Sequence, residues 1–218
     1  MSARVCESII LRTYALREAD LIVSFFTRDL GKLRGVARRA RKPGNRFGSG
    51  LQRLSHVRMY FFHRENRELD SLDSCELIHS QFALGGQYEL SVGMDFMAEI
   101  ADHLLPAGEP NERFFRLLVA VTGHMAVSKP DGQWTARLWE AVNYFALWSV
   151  RLSGFLAPME LSNEDRIIAE EMLHTPVHGL TPRAWSRSTA IGLRRQLIGL
   201  IEQQIERRLL TTQYLETL

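Results

Sequence analysis

Between Gly31 and Arg58 the chain carries nine cationic side chains and no carboxylate. They are Lys32, Arg34, Arg38, Arg39, Arg41, Lys42, Arg46, Arg53 and Arg58. A run of one sign repels itself unless anions sit beside it, and a phosphate backbone is the anion that suits this density of Arg and Lys. Arg38, Arg39, Arg41, Lys42 and Arg46 fall where a strand gives way to a loop. A charge costs least on a solvated loop, so these are the best candidate phosphate contacts, with Lys32 and Arg34 just before them. A plain solvated loop is the alternative that composition leaves open. The same part of the chain supplies Tyr14, Phe25, Phe26, Phe47, Tyr60, Phe61 and Phe62. Phe25 and Phe61 read as core. Tyr60 and Phe62 share a face with Arg58 and are candidate platforms for base stacking.

Catalytic chemistry has no comparable signal. Nucleotide-binding glycine loops, a nucleophile elbow and HExxH are all missing, so no catalytic residue and no cofactor is expected. Glu164, Asp165, Glu170 and Glu171 form an acidic cluster that reads as a solvated helix face. His174 and His178 are four apart, but Pro176 between them argues against a helical ligand pair. The two cysteines, Cys6 and Cys75, cannot build a four-thiolate zinc site. They read as free thiols, with a disulfide between them the alternative. No metal site is expected. The start, MSARVCES, lacks the apolar core of a signal peptide, and no apolar run approaches the ~18 residues that span a bilayer. The expectation is a soluble, cytoplasmic protein with no membrane partner.

The elements that must hold the basic stretch follow from periodicity. Val5–Tyr14, Leu21–Thr27, Lys32–Arg39, His56–Arg64 and Leu69–Ile78 are rich in β-branched and aromatic residues and too short for typical helices. Gly31 closes a hairpin turn between the second and third, and Glu65–Glu68 forms a hairpin tip between the last two. Inward positions of the fifth strand are Leu72, Cys75 and Leu77, given a register break near Ser74. The link from Ala40 to Ser55 is long, basic and glycine-containing. Five short strands in about 80 residues, with an insert between the third and fourth, is the layout of an OB-fold barrel.

Beyond residue 80 the period becomes helical. Gly93, Phe96, Ile100 and Leu104 share one face. Asn111 caps a helix carrying Phe114, Leu117, Leu118, Val121 and Met125. A break spans Ser128–Gly132. Trp134 to Leu152 is the strongest helix, closed by Gly154. Ser162 opens another with a capping-box pattern. Arg187 to Leu210 gives the last. The fold class is α+β: an N-terminal five-stranded OB-fold β-barrel (1–80) followed by an all-helical C-terminal domain (81–218). Charge divides the same way. Residues 1–80 carry 15 basic and 9 acidic side chains, and 81–218 carry 12 and 16. From the residues alone, a DNA-binding protein, an RNA-associated OB-fold protein and an adaptor that meets an acidic partner all remain open.

Two stretches carry a resemblance. One is SIILRTYALREADLIVSFFTRDLGKLRGVARRARKPGNRFGSGLQRLSHVRMYFFHR, the other LLPAGEPNERFFRLL. Over about residues 5–125 the chain resembles the RecO family of bacterial recombination mediators. The resemblance implies an N-terminal OB-fold, a helical C-terminal domain and no ATP. It implies binding of single- and double-stranded DNA, strand annealing, partnership with RecR, and loading of RecA onto strands coated by single-stranded DNA-binding protein (SSB). It implies nucleoid association. It places DNA on Lys32, Arg34, Arg38, Arg39, Arg41, Lys42 and Arg46, and suggests the neighbourhood of Arg113 and Arg116 for the SSB tail. Many members carry a four-cysteine zinc module in the helical domain, but here Gly154 to Thr181 holds no cysteine.

Overall fold

A computed structural model describes residues 2–63, 68–80, 87–126 and 134–218. Packing divides the chain into two compact units. One joins residues 1–83 with 101–115, and the other joins 84–100 with 116–218.

The first unit is a closed barrel of five strands: β1 (Ser2–Leu16), β2 (Asp20–Thr27), β3 (Gly31–Ala37), β4 (His56–His63) and β5 (Asp70–His79), in the spatial order β1-β2-β3-β5-β4. Among the five strands' described pairings only β3–β5 is parallel, running from Gly35 with Asp70 to Ala37 with Leu72. This is the expected OB-fold. β1 closes it by pairing with β4 over Ser2–Ile9 and with β2 over Ser8–Leu16. Inward side chains, among them Ile10, Val23, Phe25, Val57, Met59 and Phe61, fill the barrel. Phe25 and Phe61 meet edge to face, their centroids 5.6 Å apart.

Two expectations need correction. The polar residues around Ile9–Leu11 suggest a half-exposed strand, but in β1 Ser8–Leu11 are all buried. A bulge between Ile10 and Arg12 interrupts the alternation, and Ile10 exchanges backbone hydrogen bonds with Leu54 and Ser55 of the link. Leu77 does not point inward and is 44% exposed. The expected break does occur, between the Tyr60–Ser74 and Phe61–Leu72 pairs, but a second lies between His56 and Val57. Cys6 and Cys75 are free thiols, as expected. Each pairs with Met59 from opposite sides, two strand spacings apart. The hairpin tip falls mostly on 65–67, outside the described residues.

Residues 101–115 pack on the outside of β2 and β3. Phe26, outward on β2, lies 6.3 Å from Phe114 and 5.9 Å from Phe115, ring to ring. The free edge of β3 is completed by the same segment. Lys32 bridges Ala107, and Gly108 N–H donates to the Lys32 carbonyl at 3.0 Å. Gly31 sits at φ +75°, and a Cβ there would lie 2.4 Å from the Glu109 backbone. Only glycine meets both demands.

The helices are α1 (Tyr88–Leu104), α2 (Glu112–Ala126), α3 (Trp134–Leu152), α4 (Asn163–His174), α5 (Ile191–Gln204) and the short α6 (Thr212–Leu215). Asn111 caps α2 through the Phe114 N–H at 3.0 Å. Ser162 caps α4 through the Asp165 N–H at 3.1 Å. α3 buries a stripe of Leu138, Ala141, Val142 and Phe145, while the side chain of Trp134 and the break at 128–132 lie outside the described residues. The last helix is shorter than its apolar period: α5 ends at Gln204. The chain then turns, with Glu206 at φ +54°, and Glu99 of α1 accepts the Leu210 and Thr211 N–H groups at 2.9 Å.

Candidate nucleic-acid interface

The strand registers build one continuous line of outward side chains. Tyr14 pairs with Ile22, Ile22 with Val36, Val36 with Ser71, and Ser71 with Phe62. Paired residues point to the same side of a sheet, so an aromatic ring stands at each end of a floor of Ile22, Val36 and Ser71. Phe62 is 40% exposed and Tyr14 37%. The floor opens into a cleft of about 1050 Å³ lined by Leu16, Arg17, Asp20, Val36, Arg38, Phe62, Glu68, Leu69, Asp70 and Ser71. The β1–β2 turn forms one wall and Glu68–Ser71 at the start of β5 the other, where OB-folds hold oligonucleotides.

The basic link is fastened to this cleft. Arg39 takes a left-handed backbone, φ +58°, and its N–H donates to Asp20 Oδ1 at 2.8 Å. The Arg41 N–H donates to the Ala19 carbonyl at 3.0 Å. These bonds hold the arc Arg38–Lys42 beside the β1–β2 turn and leave its side chains exposed. Among the described residues, Arg38, Arg39, Arg41 and Lys42 form no ion pair. Their charge stays available to an outside anion.

The other expected positions fare differently. Lys32 is half buried, its Nζ donates to the Asp102 carbonyl, and burial lowers its pKa. Arg46 is exposed but pairs with Asp73 at 2.7 Å. Arg34 is exposed on β3, its guanidinium over the Tyr14 ring. Tyr60 shares the outward face of β4 with Phe62 but does not line the cleft, and a hydrogen bond from its hydroxyl to Glu76 raises its pKa. Arg58 pairs with the same Glu76 at 3.1 Å. Arg113 and Arg116 are exposed on α2.

Sequence reasoning missed Arg17, which joins Arg38 in the cleft, and Arg12, whose guanidinium lies 5.1 Å from the Tyr14 ring centroid. Neither sits in the basic run. Only the barrel register brings them to it.

The acidic cluster of α4 does not assemble. Asp165 is buried and accepts the Leu193 N–H at the start of α5, and Glu171 is held by Thr181 and Arg183. Among the described residues no group of three or more His, Cys, Asp or Glu could hold a metal, and no helix is long and apolar enough to cross a membrane.

Comparison with known proteins places this geometry. Residues 1–81 match the family described as Recombination protein O N terminal. The DNA repair protein RecO of Koribacter versatilis is 36% identical, in an alignment covering 97% of this chain and 98% of that protein. The chain belongs to the RecO family. The RecO of Cutibacterium acnes is 32% identical over 68% of the chain and 60% of its own length. That of Geobacter sulfurreducens is 36% identical over 55% and 49%. In RecO-family terms, the cleft and its basic arc both lie within the matched N-terminal part, and so does the Arg12–Tyr14–Arg34 group. The Koribacter RecO alignment spans 246 positions, so that relative carries residues this 218-residue chain lacks.

Proposed function

We propose that this chain is a DNA-binding and strand-annealing mediator of recombinational DNA repair. It acts with RecR to help load RecA onto SSB-coated single strands, in the cytoplasm on the nucleoid, and it performs no catalysis of its own. Residues 1–80 are the DNA-binding domain. Residues 81–218 are the helical domain, which works without a zinc module and offers Arg113 and Arg116 to the acidic SSB tail. Both single- and double-stranded DNA are ligands.

The observation that carries the reading is the cleft between the β1–β2 turn and Glu68–Ser71, with Arg17, Arg38 and Phe62 lining it and, beside it, the arc Arg39–Lys42, which forms no ion pair among the described residues. Stacking on an exposed ring and cations along a groove is the chemistry by which OB-folds hold single strands. Membership in a family named for DNA repair supports DNA over RNA as the polymer. Arg38, Arg39, Arg41 and Lys42 contact phosphates and Phe62 stacks on a base. Arg34 and Arg46 lie along the same path, Arg46 after it leaves Asp73. Tyr60 and Lys32 serve at its margin.

The test is binding of a single-stranded oligonucleotide across a salt series, wild type against a variant with Arg38, Arg39, Arg41 and Lys42 changed to Ala. Log affinity falls with log salt by about 0.7 per phosphate neutralised, and the variant gives a weaker and shallower line. Equal binding by the two proteins removes the arc from the interface. Preference for RNA over DNA in competition, or failure to anneal complementary strands, rejects the mediator reading.

A further inference from the structure

Tyr14 stands between two arginines that the sequence keeps 22 positions apart. Arg12 precedes it by two residues on β1 and so shares its face. Arg34 reaches it from β3. Both belong to a second outward line, in which Arg12 pairs with Ser24 and Ser24 with Arg34. Their Cζ atoms lie 5.1 and 5.9 Å from the centroid of the Tyr14 ring. Among the described residues neither guanidinium forms an ion pair. Between them on that line, the Ser24 hydroxyl is turned to Asp102, which accepts it at 2.6 Å.

A guanidinium held over an aromatic ring keeps its donors at its edge, directed outward in a planar fork. Two such groups on one ring form a rigid pair of forks, and their side-chain entropy is largely spent before any ligand arrives. A planar fork matches a phosphate bidentately. Both guanidiniums draw on the one ring, which serves them as a post. We propose that Arg12 and Arg34, positioned by Tyr14, clamp two phosphates of a nucleic-acid strand at the end of the cleft away from Phe62. The proposal rests on the reading that the barrel binds a strand. It adds Arg12, which lies outside the basic run, and gives Tyr14 a positioning role.

The experiment uses the full chain, a fluorescent single-stranded oligonucleotide and a salt series. The variants are Arg12→Ala, Arg34→Ala, the two together, Tyr14→Phe, Tyr14→Leu, and the four-residue arc variant above. Each single arginine variant binds about 3- to 10-fold more weakly at low salt, and its slope is shallower by about 0.7. The double variant is shallower by about 1.4. Tyr14→Phe behaves as wild type because the ring remains. Tyr14→Leu moves toward the double variant in affinity and in slope, with an unchanged melting temperature. Affinity lost in Tyr14→Leu at an unchanged slope makes Tyr14 a base platform and overturns the clamp. Wild-type binding by the double arginine variant also overturns it, and if the arc variant still loses affinity the barrel reading survives. If neither loses affinity, both fail together.

Discussion

The hydroxyl of Ser24 donates a 2.6 Å hydrogen bond to Oδ1 of Asp102, across 78 positions of sequence. It ties the outer face of β2 to the C-terminal turn of α1, beside the point where the Lys32 ammonium meets the Asp102 carbonyl. Ser24 is 2% exposed. Changing it to Ala leaves Asp102 short of a charge-assisted partner and costs about 1–2 kcal/mol in urea unfolding. Strand binding keeps its salt slope, because Ser24 touches no phosphate. An unchanged midpoint shows that the bond contributes nothing net.

Glycine substitutions act in opposite directions at two kinds of site. Gly31→Ala forces a left-handed residue to carry a Cβ that would lie 2.4 Å from the Glu109 backbone. The expected loss is about 2 kcal/mol or more, with the 106–109 segment displaced from β3. Gly199 lies inside α5 with nothing within 4 Å of an added Cβ. Gly199→Ala gains about 0.5–1 kcal/mol, since a helix interior favours Ala. Thermal melts of both variants read the contrast, and a stabilised Gly31→Ala rejects the close approach.

His56 makes stability depend on pH. Burial holds its pKa below the ordinary imidazole value of 6.5, and the attraction of Glu7 at 2.7 Å only partly offsets this. Near neutrality the ring is uncharged in both folded and unfolded chains and adds no dependence. As pH falls through 6.5 the unfolded chain takes up the proton first, so stability drops. The drop ends below the lowered folded value, where both states are charged. His56→Gln flattens this segment of the stability curve. An identical slope in wild type and variant assigns the dependence to other groups.

Both thiols are held protonated. Burial, then a hydrogen bond to Asp29, pushes Cys6 up to about 12, and burial pushes Cys75 up to about 11. Since the thiolate is the nucleophile, neither reacts with a thiol reagent near neutral pH in the folded chain, and both react in denaturant. Rapid labelling of native protein contradicts the burial of this part of the barrel.

The barrel was legible because its inward residues alternate at Val57, Met59 and Phe61, a period only a strand supplies. The caps Asn111 and Ser162 were legible because their side chains do local chemistry. What escaped depends on distant partners. The first residues of β1 have no apolar alternation and are strand because β4 offers hydrogen bonds. The end of α5 could not be read from its apolar period, since Leu209 continues that period but is buried through a turn held by Glu99. The basic arc announced itself by composition. Arg12 and Arg17 did not, because their place beside Arg34 and Arg38 follows from register alone. Nor did composition tell Lys32, committed to a helix end, from Arg38, which faces the cleft.

The cover formed by residues 101–115 has a consequence for how the protein is made. β5 is complete at His79, yet Phe114 and Phe115, which shield Phe26, emerge about 36 residues later, a delay of a few seconds at roughly 5–20 residues per second on the ribosome. Until then the nascent barrel shows an aromatic flank and an unfinished β3 edge, and it is a natural client for a chaperone. A fragment cut after the last strand would stay in that condition permanently.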